Sequence, residues 1–109
     1  MTPELKCETK YFNKTHKEKY YVAWYYDGKD GNPVYHCENG PACIYYHTTG
    51  EIFERWYIVH GKSHRLDGPA IIRYDVNGNI IREEYFVFDK PMTEDEYKIF
   101  VFAFKSELQ

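Results

Sequence analysis

The chain has 109 residues, enough for one domain with a modest core, and its 12 Tyr and 7 Phe favour strands, where aromatic cross-strand pairs stabilise the ladder. Seventeen acidic residues against 14 basic ones, a net charge of −3, argue against general nucleic-acid binding, which needs clustered Lys and Arg. No apolar run approaches transmembrane length, and Met1-Thr2-Pro3-Glu4-Leu5-Lys6 lacks the basic-then-apolar start of a signal peptide, so a soluble cytoplasmic protein is expected.

Near the start, Lys14, Lys17 and Lys19 beside Tyr20 and Tyr21 read as a solvated strand edge, where lysines discourage edge-to-edge pairing. The three cysteines, Cys7, Cys37 and Cys43, are odd in number and have no paired spacing, which fits free thiols in a reducing compartment. Cys37, Cys43 and His47, with His36 adjacent, can be drawn as a zinc site. Their spacing resembles no knuckle or finger, so neither a metal nor a cofactor is expected, and the cysteines read as small packing residues.

From Glu38 onward the chain repeats itself. Residues 38–65 read again over 66–93 without a gap, with Gly40-Pro41-Ala42 against Gly68-Pro69-Ala70 at an offset of 28 residues. Ile44 meets Ile72, Tyr46 meets Tyr74, Gly50 meets Gly78 and Ile52 meets Ile80. Tyr57 then meets Tyr85, Val59 meets Val87 and Lys62 meets Lys90. Repeats fix architecture first, and they usually present surfaces rather than catalytic clefts.

Each copy reads as a β-hairpin. In the second, strand-like Ala70–Tyr74 is followed by Val76-Asn77-Gly78-Asn79 and a return strand from Ile80 to Phe88. Asn77-Gly78 between β-branched runs predicts a type I′ turn, with positive φ at both central residues. Thr48-Thr49-Gly50-Glu51 holds the same place in the first copy. Hairpins join at Val59-His60-Gly61-Lys62 and at His64–Pro69, where Asp67-Gly68-Pro69 reads as a structural corner.

A degenerate copy spans 20–37. Tyr25-Tyr26-Asp27-Gly28-Lys29 resembles Ile58–Lys62, and the junction carries Asp30–Tyr35 where the later one has only Ser63. After Pro91-Met92 the pattern changes. Thr93-Glu94-Asp95-Glu96 is a capping box, and Tyr97, Phe100, Val101, Phe104 and Leu108 follow at helical spacing. The prediction is one mainly β domain over 1–109. It is an antiparallel meander of repeated hairpins, with copies at 20–37, 38–65 and 66–93, and one C-terminal helix at 94–107 that packs on or caps the sheet.

The phrase His64-Arg65-Leu66-Asp67-Gly68-Pro69-Ala70, then Asn77-Gly78-Asn79-Ile80 and Glu84-Tyr85, resembles the variant MORN-type (membrane occupation and recognition nexus) repeat. The likeness covers roughly 20–97. That repeat is abundant in small proteins of tailed bacteriophages and giant viruses, and related bacterial proteins are antitoxin-like. The resemblance implies a twisted antiparallel meander and no established catalytic residues. The first copy departs from it, with Cys37 in place of the Arg and Asn39 in place of the Asp. An Arg65–Asp67 ion pair shaping the corner would therefore belong to the second copy alone. The membrane role in the family's name finds no basic amphipathic helix or lipidation signal here.

No glycine-rich phosphate loop, nucleophile elbow or paired metal motif is present, so an enzyme is not expected. The expectation is a non-catalytic interaction module, phage-encoded, that binds and inhibits a host protein in a counter-defence or antitoxin-like role. The alternative is a small-ligand or nucleotide-sequestering protein acting as an oligomer that builds the pocket; under either reading an open meander leaves two edge strands for self-association. Aromatic and Arg anchors dominate interfaces, which selects Trp56, Tyr57, Tyr85 and Arg65, then Trp24 and Tyr26, with His64 and Asp67 beside Arg65. The competing reading of each is cross-strand packing or a solvated turn.

Overall fold

The computed structural model describes residues 5–11, 19–26 and 33–107. Lys14, Lys17, Asp27-Gly28-Lys29, Asp30-Gly31-Asn32 and Leu108 lie outside the described residues, as does the side chain of Tyr26. Among the described residues the chain runs β1 (Lys6–Tyr11), β2 (Lys19–Tyr26), β3 (Pro33–Tyr35), β4 (Cys43–Tyr46), β5 (Ile52–Trp56), β6 (Ile58–Val59), β7 (Lys62–Ser63), β8 (Ile71–Tyr74), β9 (Ile80–Val87), β10 (Lys90–Met92) and α1 (Glu94–Glu107).

The main sheet is antiparallel and open, in the order β1-β2-β4-β5-β8-β9-β10, with β3 paired to β2 and β6-β7 forming a separate two-stranded piece. This is the predicted meander with one C-terminal helix packed on it. The extents, 49 × 41 × 20 Å, are those of a slab. The buried residues are the small Ala23, Ala42, Ala70 and Cys43 with Val22, Ile58, Ile71, Ile72, Val87 and Tyr97, and the neighbours Val22-Ala23 and Ile71-Ile72 are buried on opposite faces of their strands. Ala42 and Ala70, the last residues of the two Gly-Pro-Ala corners, have no exposed surface. Their amides donate to the carbonyls of Trp56 and Glu84, each at 2.8 Å, which pins each corner against its return strand.

The turns correct one expectation. Gly78 is left-handed (φ 86°), but Asn77 is not, so no type I′ turn forms there. The amide of Gly78 donates to the carbonyl of Asp75 at 3.1 Å, that of Asp75 to the carbonyl of Asn79 at 2.9 Å, and the register slips between Arg73 and Tyr74. The bulge admits an extra residue, so one glycine in the left-handed region is enough. The Asp75 carboxylate accepts from the amides of Asn77 and Asn79, both at 2.9 Å, which holds its pKa below the usual carboxylate range. The β4–β5 turn copies this arrangement with His47, Gly50 and Glu51.

The two-residue turns with positive φ at both positions occur instead at the other ends of the hairpins. They are His60-Gly61 (49° and 79°) and Phe88-Asp89 (47° and 68°). Val59 pairs with Lys62 around the first, and Val87 with Lys90 around the second.

The capping box forms as its residues dictate. The Thr93 hydroxyl accepts from the Glu96 amide at 3.1 Å, and the Thr93 amide donates to the Glu96 carboxylate at 3.0 Å. The helix face is buried less than its pattern suggests. Tyr97 is buried and Val101 half-buried, whereas Phe100 and Phe104 remain a little over a third exposed.

Candidate functional site

Two grooves lie on the slab, and Tyr57, His64, Arg65, Asp67 and Trp56 of the sequence-selected residues line one or the other. The first, about 670 Å³, runs between the corner at Cys37–Pro41 and the corner at His64–Asp67. Tyr57, His64, Arg65 and Asp67 all line it. The guanidinium of Arg65 lies over the Tyr57 ring at 3.8 Å and donates to the Pro69 carbonyl at 3.1 Å. Asp67 meets Lys105 of α1 at 3.4 Å. The conditional Arg65–Asp67 pair is therefore not made: the arginine turns inward to close its own corner, and the aspartate turns out to the helix.

His64 is committed to the fold. Its Nδ1 accepts from the Phe88 amide at 3.1 Å, and its ring stacks on that of Phe88 at 3.9 Å. The same device appears 28 residues earlier. Nδ1 of His36 accepts from the His60 amide at 2.8 Å, and the two rings stack at 4.3 Å. Each of these imidazoles receives the first amide of a turn with two positive φ values, a donor that the turn itself cannot satisfy. Burial pushes both imidazoles below the usual histidine range; at His36 the neighbouring His60 adds to this and Glu38 opposes it.

His36, Glu38 and His60 could be taken for a metal site, since one ligand atom of each lies within 4.8 Å of the others. The tautomer argues otherwise. Nδ1 of His36 is an acceptor, so the neutral ring carries its proton on Nε2, the atom that faces Glu38 at 3.7 Å. A metal on Nε2 would require breaking the bond that holds the turn. The equivalent positions in the next copy are Leu66 and Phe88, which bind no metal.

Tyr85 belongs to neither groove. Its ring tilts against Tyr97 at 4.7 Å, and its hydroxyl donates to Glu83 at 3.2 Å. Trp24 packs on the cluster of Val22, Ala42, Cys43 and Ile58. Trp56 packs there too, but it also borders the second groove.

That second groove, about 570 Å³, is lined by Tyr45, Phe53, Glu54, Trp56 and Arg73, with the Tyr46–Thr48 turn at one end. Strand register assembles it. Glu54 lies opposite Tyr45 on β4 and opposite Arg73 on β8, so the three share a face with Trp56 two residues along. Glu54 is 5% exposed, the one buried acidic side chain among the described residues. One carboxylate oxygen accepts from Nε of Arg73 at 2.8 Å and from Nη2 at 2.7 Å; the other accepts from the Trp56 indole. The Arg73 guanidinium also lies over Phe53 at 5.3 Å.

Of this second site only Trp56 stood out in the sequence. The missing signal lay in the comparison of the two copies. Tyr45, Phe53, Glu54 and Trp56 become Arg73, Ile81, Arg82 and Glu84 at the offset of 28 residues, so none of the four is demanded by the hairpin itself. Positions the hairpin does demand, such as Ala42 and Ala70, keep their identity.

Comparison with protein-family models, with curated proteins and with solved structures finds no match for this chain.

Proposed function

We propose that this chain is a non-catalytic protein-interaction module. In the setting its resemblance to the variant MORN-type repeats implies, it is a phage-encoded cytoplasmic protein that binds a host protein and blocks it, in a counter-defence or antitoxin-like role. The observation that supports this reading is the apolar surface left in water. Phe102 of α1 is 76% exposed and Ile99 72% exposed, three residues apart and so on one stripe of the helix. Exposed apolar stripes on small proteins usually mark a partner surface. The groove holding Tyr57, Arg65 and Asp67 adds the aromatic and Arg side chains that anchor interfaces.

The test is affinity purification of the tagged chain from bacterial lysate, with mass spectrometry. It is repeated on Ile99→Glu/Phe102→Glu and on Trp56→Ala/Tyr57→Ala. One host protein recovered in near-equal amount, and lost in the helix variant, supports the reading and places the surface on α1. Loss in the second variant alone moves the surface to the sheet. No stoichiometric partner in any sample overturns it.

A further inference from the structure

We propose that the groove between β4, β5 and β8 binds a planar aromatic anion, a ring carrying a phosphate or carboxylate group. The walls are rings: Tyr45, Phe53 and Trp56 line the groove. At about 570 Å³ it falls in the size range of small-molecule sites. Stacking on such rings favours a flat ligand over a branched aliphatic one.

The choice of an anion comes from how Arg73 is held. A guanidinium has five N–H donors in a fixed fork. Glu54 takes Nε and one hydrogen of Nη2, both on a single carboxylate oxygen. The Trp56 indole occupies the other oxygen, so the buried carboxylate has no freedom to follow a ligand. What remains is the outer edge of the fork, Nη1 and the second hydrogen of Nη2. That side chain is 39% exposed and lines the groove, so it can be reached from there. A carboxylate or phosphate fits such an edge with two parallel bonds. A cation does not fit, because Arg73 already neutralises Glu54 and already covers the Phe53 ring.

In the second copy the hairpin forms without this assembly. There the equivalent positions of Tyr45, Phe53, Glu54 and Trp56 are Arg73, Ile81, Arg82 and Glu84, and the hairpin forms with the same turn and the same register slip. The three rings and the buried glutamate have no counterpart in the second copy, whose hairpin forms without them, so hairpin formation alone does not account for them. This site is distinct from the helix stripe proposed for the protein partner.

The test is titration of the full isotope-labelled chain with adenosine monophosphate and with indoleacetate, each against its uncharged counterpart, adenosine and methylindole. The signal is the Trp56 indole N–H resonance. At least one anion shifts this resonance saturably, about tenfold more tightly than its neutral counterpart. A response to the nucleotide alone identifies phosphate as the anion, and one to indoleacetate alone identifies carboxylate. Phe53→Ile, which installs the residue of the second copy, weakens binding about tenfold while the melting temperature holds. Arg73→Lys weakens the preference for the anion, because an ammonium keeps the charge but cannot offer two parallel bonds. No shift with either anion, equal affinity for charged and neutral probes, or full binding by Phe53→Ile overturns the proposal.

Discussion

Nδ1 of His64 accepts a hydrogen bond from the Phe88 amide at 3.1 Å while the two rings stack at 3.9 Å. The bond requires an unprotonated Nδ1. Protonation turns the acceptor into a second donor facing the amide, and the turn loses its partner.

Stability should therefore fall on mild acidification. The pKa of His64 is lowered by burial, and that of His36 by burial and by His60. A group whose folded pKa lies below its unfolded value of about 6.5 binds fewer protons in the fold. Its contribution is complete above pH ~6.5 and is lost as pH falls through the folded pKa. Urea unfolding between pH 8 and pH 5 measures this, with those limits set about the ordinary histidine pKa. His36→Asn/His64→Asn supplies a side-chain oxygen near the Nδ1 position that does not titrate. It should flatten the profile, and an unchanged profile would remove the histidines as its cause.

Tyr97 should be the residue that fixes α1. Its hydroxyl donates to the Arg65 carbonyl at 2.7 Å and accepts from the Gly68 amide at 3.1 Å, so one side chain satisfies two backbone groups of the corner. Tyr97→Phe keeps the ring and strands both groups. The expected cost is about 1–3 kcal/mol by chemical denaturation. Glu96→Ala, at the exposed capping box, should cost less than Tyr97→Phe, because water can replace the lost bond. Equal losses in the two variants would show that the hydroxyl is not the anchor.

The sheet, the helix and the repeat were legible because each rests on local chemistry. The matches at an offset of 28 residues, the Asn-Gly and Thr-Gly turns and the Thr93–Glu96 box can all be read without knowing which strands pair. The turn geometry was read one step wrong because Asn77-Gly78 suits both a two-residue turn and a bulged one. Strand register decides between them, and register is a long-range property. Glu54 was missed for the same reason. A glutamate in a strand reads as solvent-facing until the pairing places Arg73 opposite it and Trp56 beside it. Phe102 and Ile99 did not stand out for another reason. Helical spacing locates an apolar face, but it does not say that a thin slab offers too little surface to cover a second one.

The Glu54–Arg73 pair should be asymmetric under mutation. Arg73→Met leaves a carboxylate that is 5% exposed with only the Trp56 indole as donor. Removing one partner from a buried pair costs about 3–5 kcal/mol, and the exposure of Arg73 puts this one near the lower end. Glu54→Gln keeps an acceptor for the indole and leaves an arginine that water can reach, so its cost should stay near 1 kcal/mol. Urea midpoints for both variants decide this. A larger loss for Glu54→Gln would mean that the pair is held by the arginine's stacking on Phe53 rather than by the buried charge.

The two kinds of turn should differ in their tolerance of alanine. Gly78 (φ 86°) has open space where a Cβ would point, so Gly78→Ala meets backbone strain alone, of about 1–2 kcal/mol. Gly61 (φ 79°) carries the same strain, and a Cβ there would come within 3.2 Å of Val34 Cγ1 on β3. Its amide also donates to the Tyr35 carbonyl at 2.8 Å, so any shift that relieves the clash loosens the β3 contact as well. Gly61→Ala should therefore lose more stability than Gly78→Ala. Val34→Ala, combined with Gly61→Ala, should narrow that difference by removing the methyl in the way. Thermal unfolding of the two single variants and the combination measures all three. Equal losses for Gly61→Ala and Gly78→Ala would show that β3 gives way freely and that the His60-Gly61 turn is not tied to the strand before it.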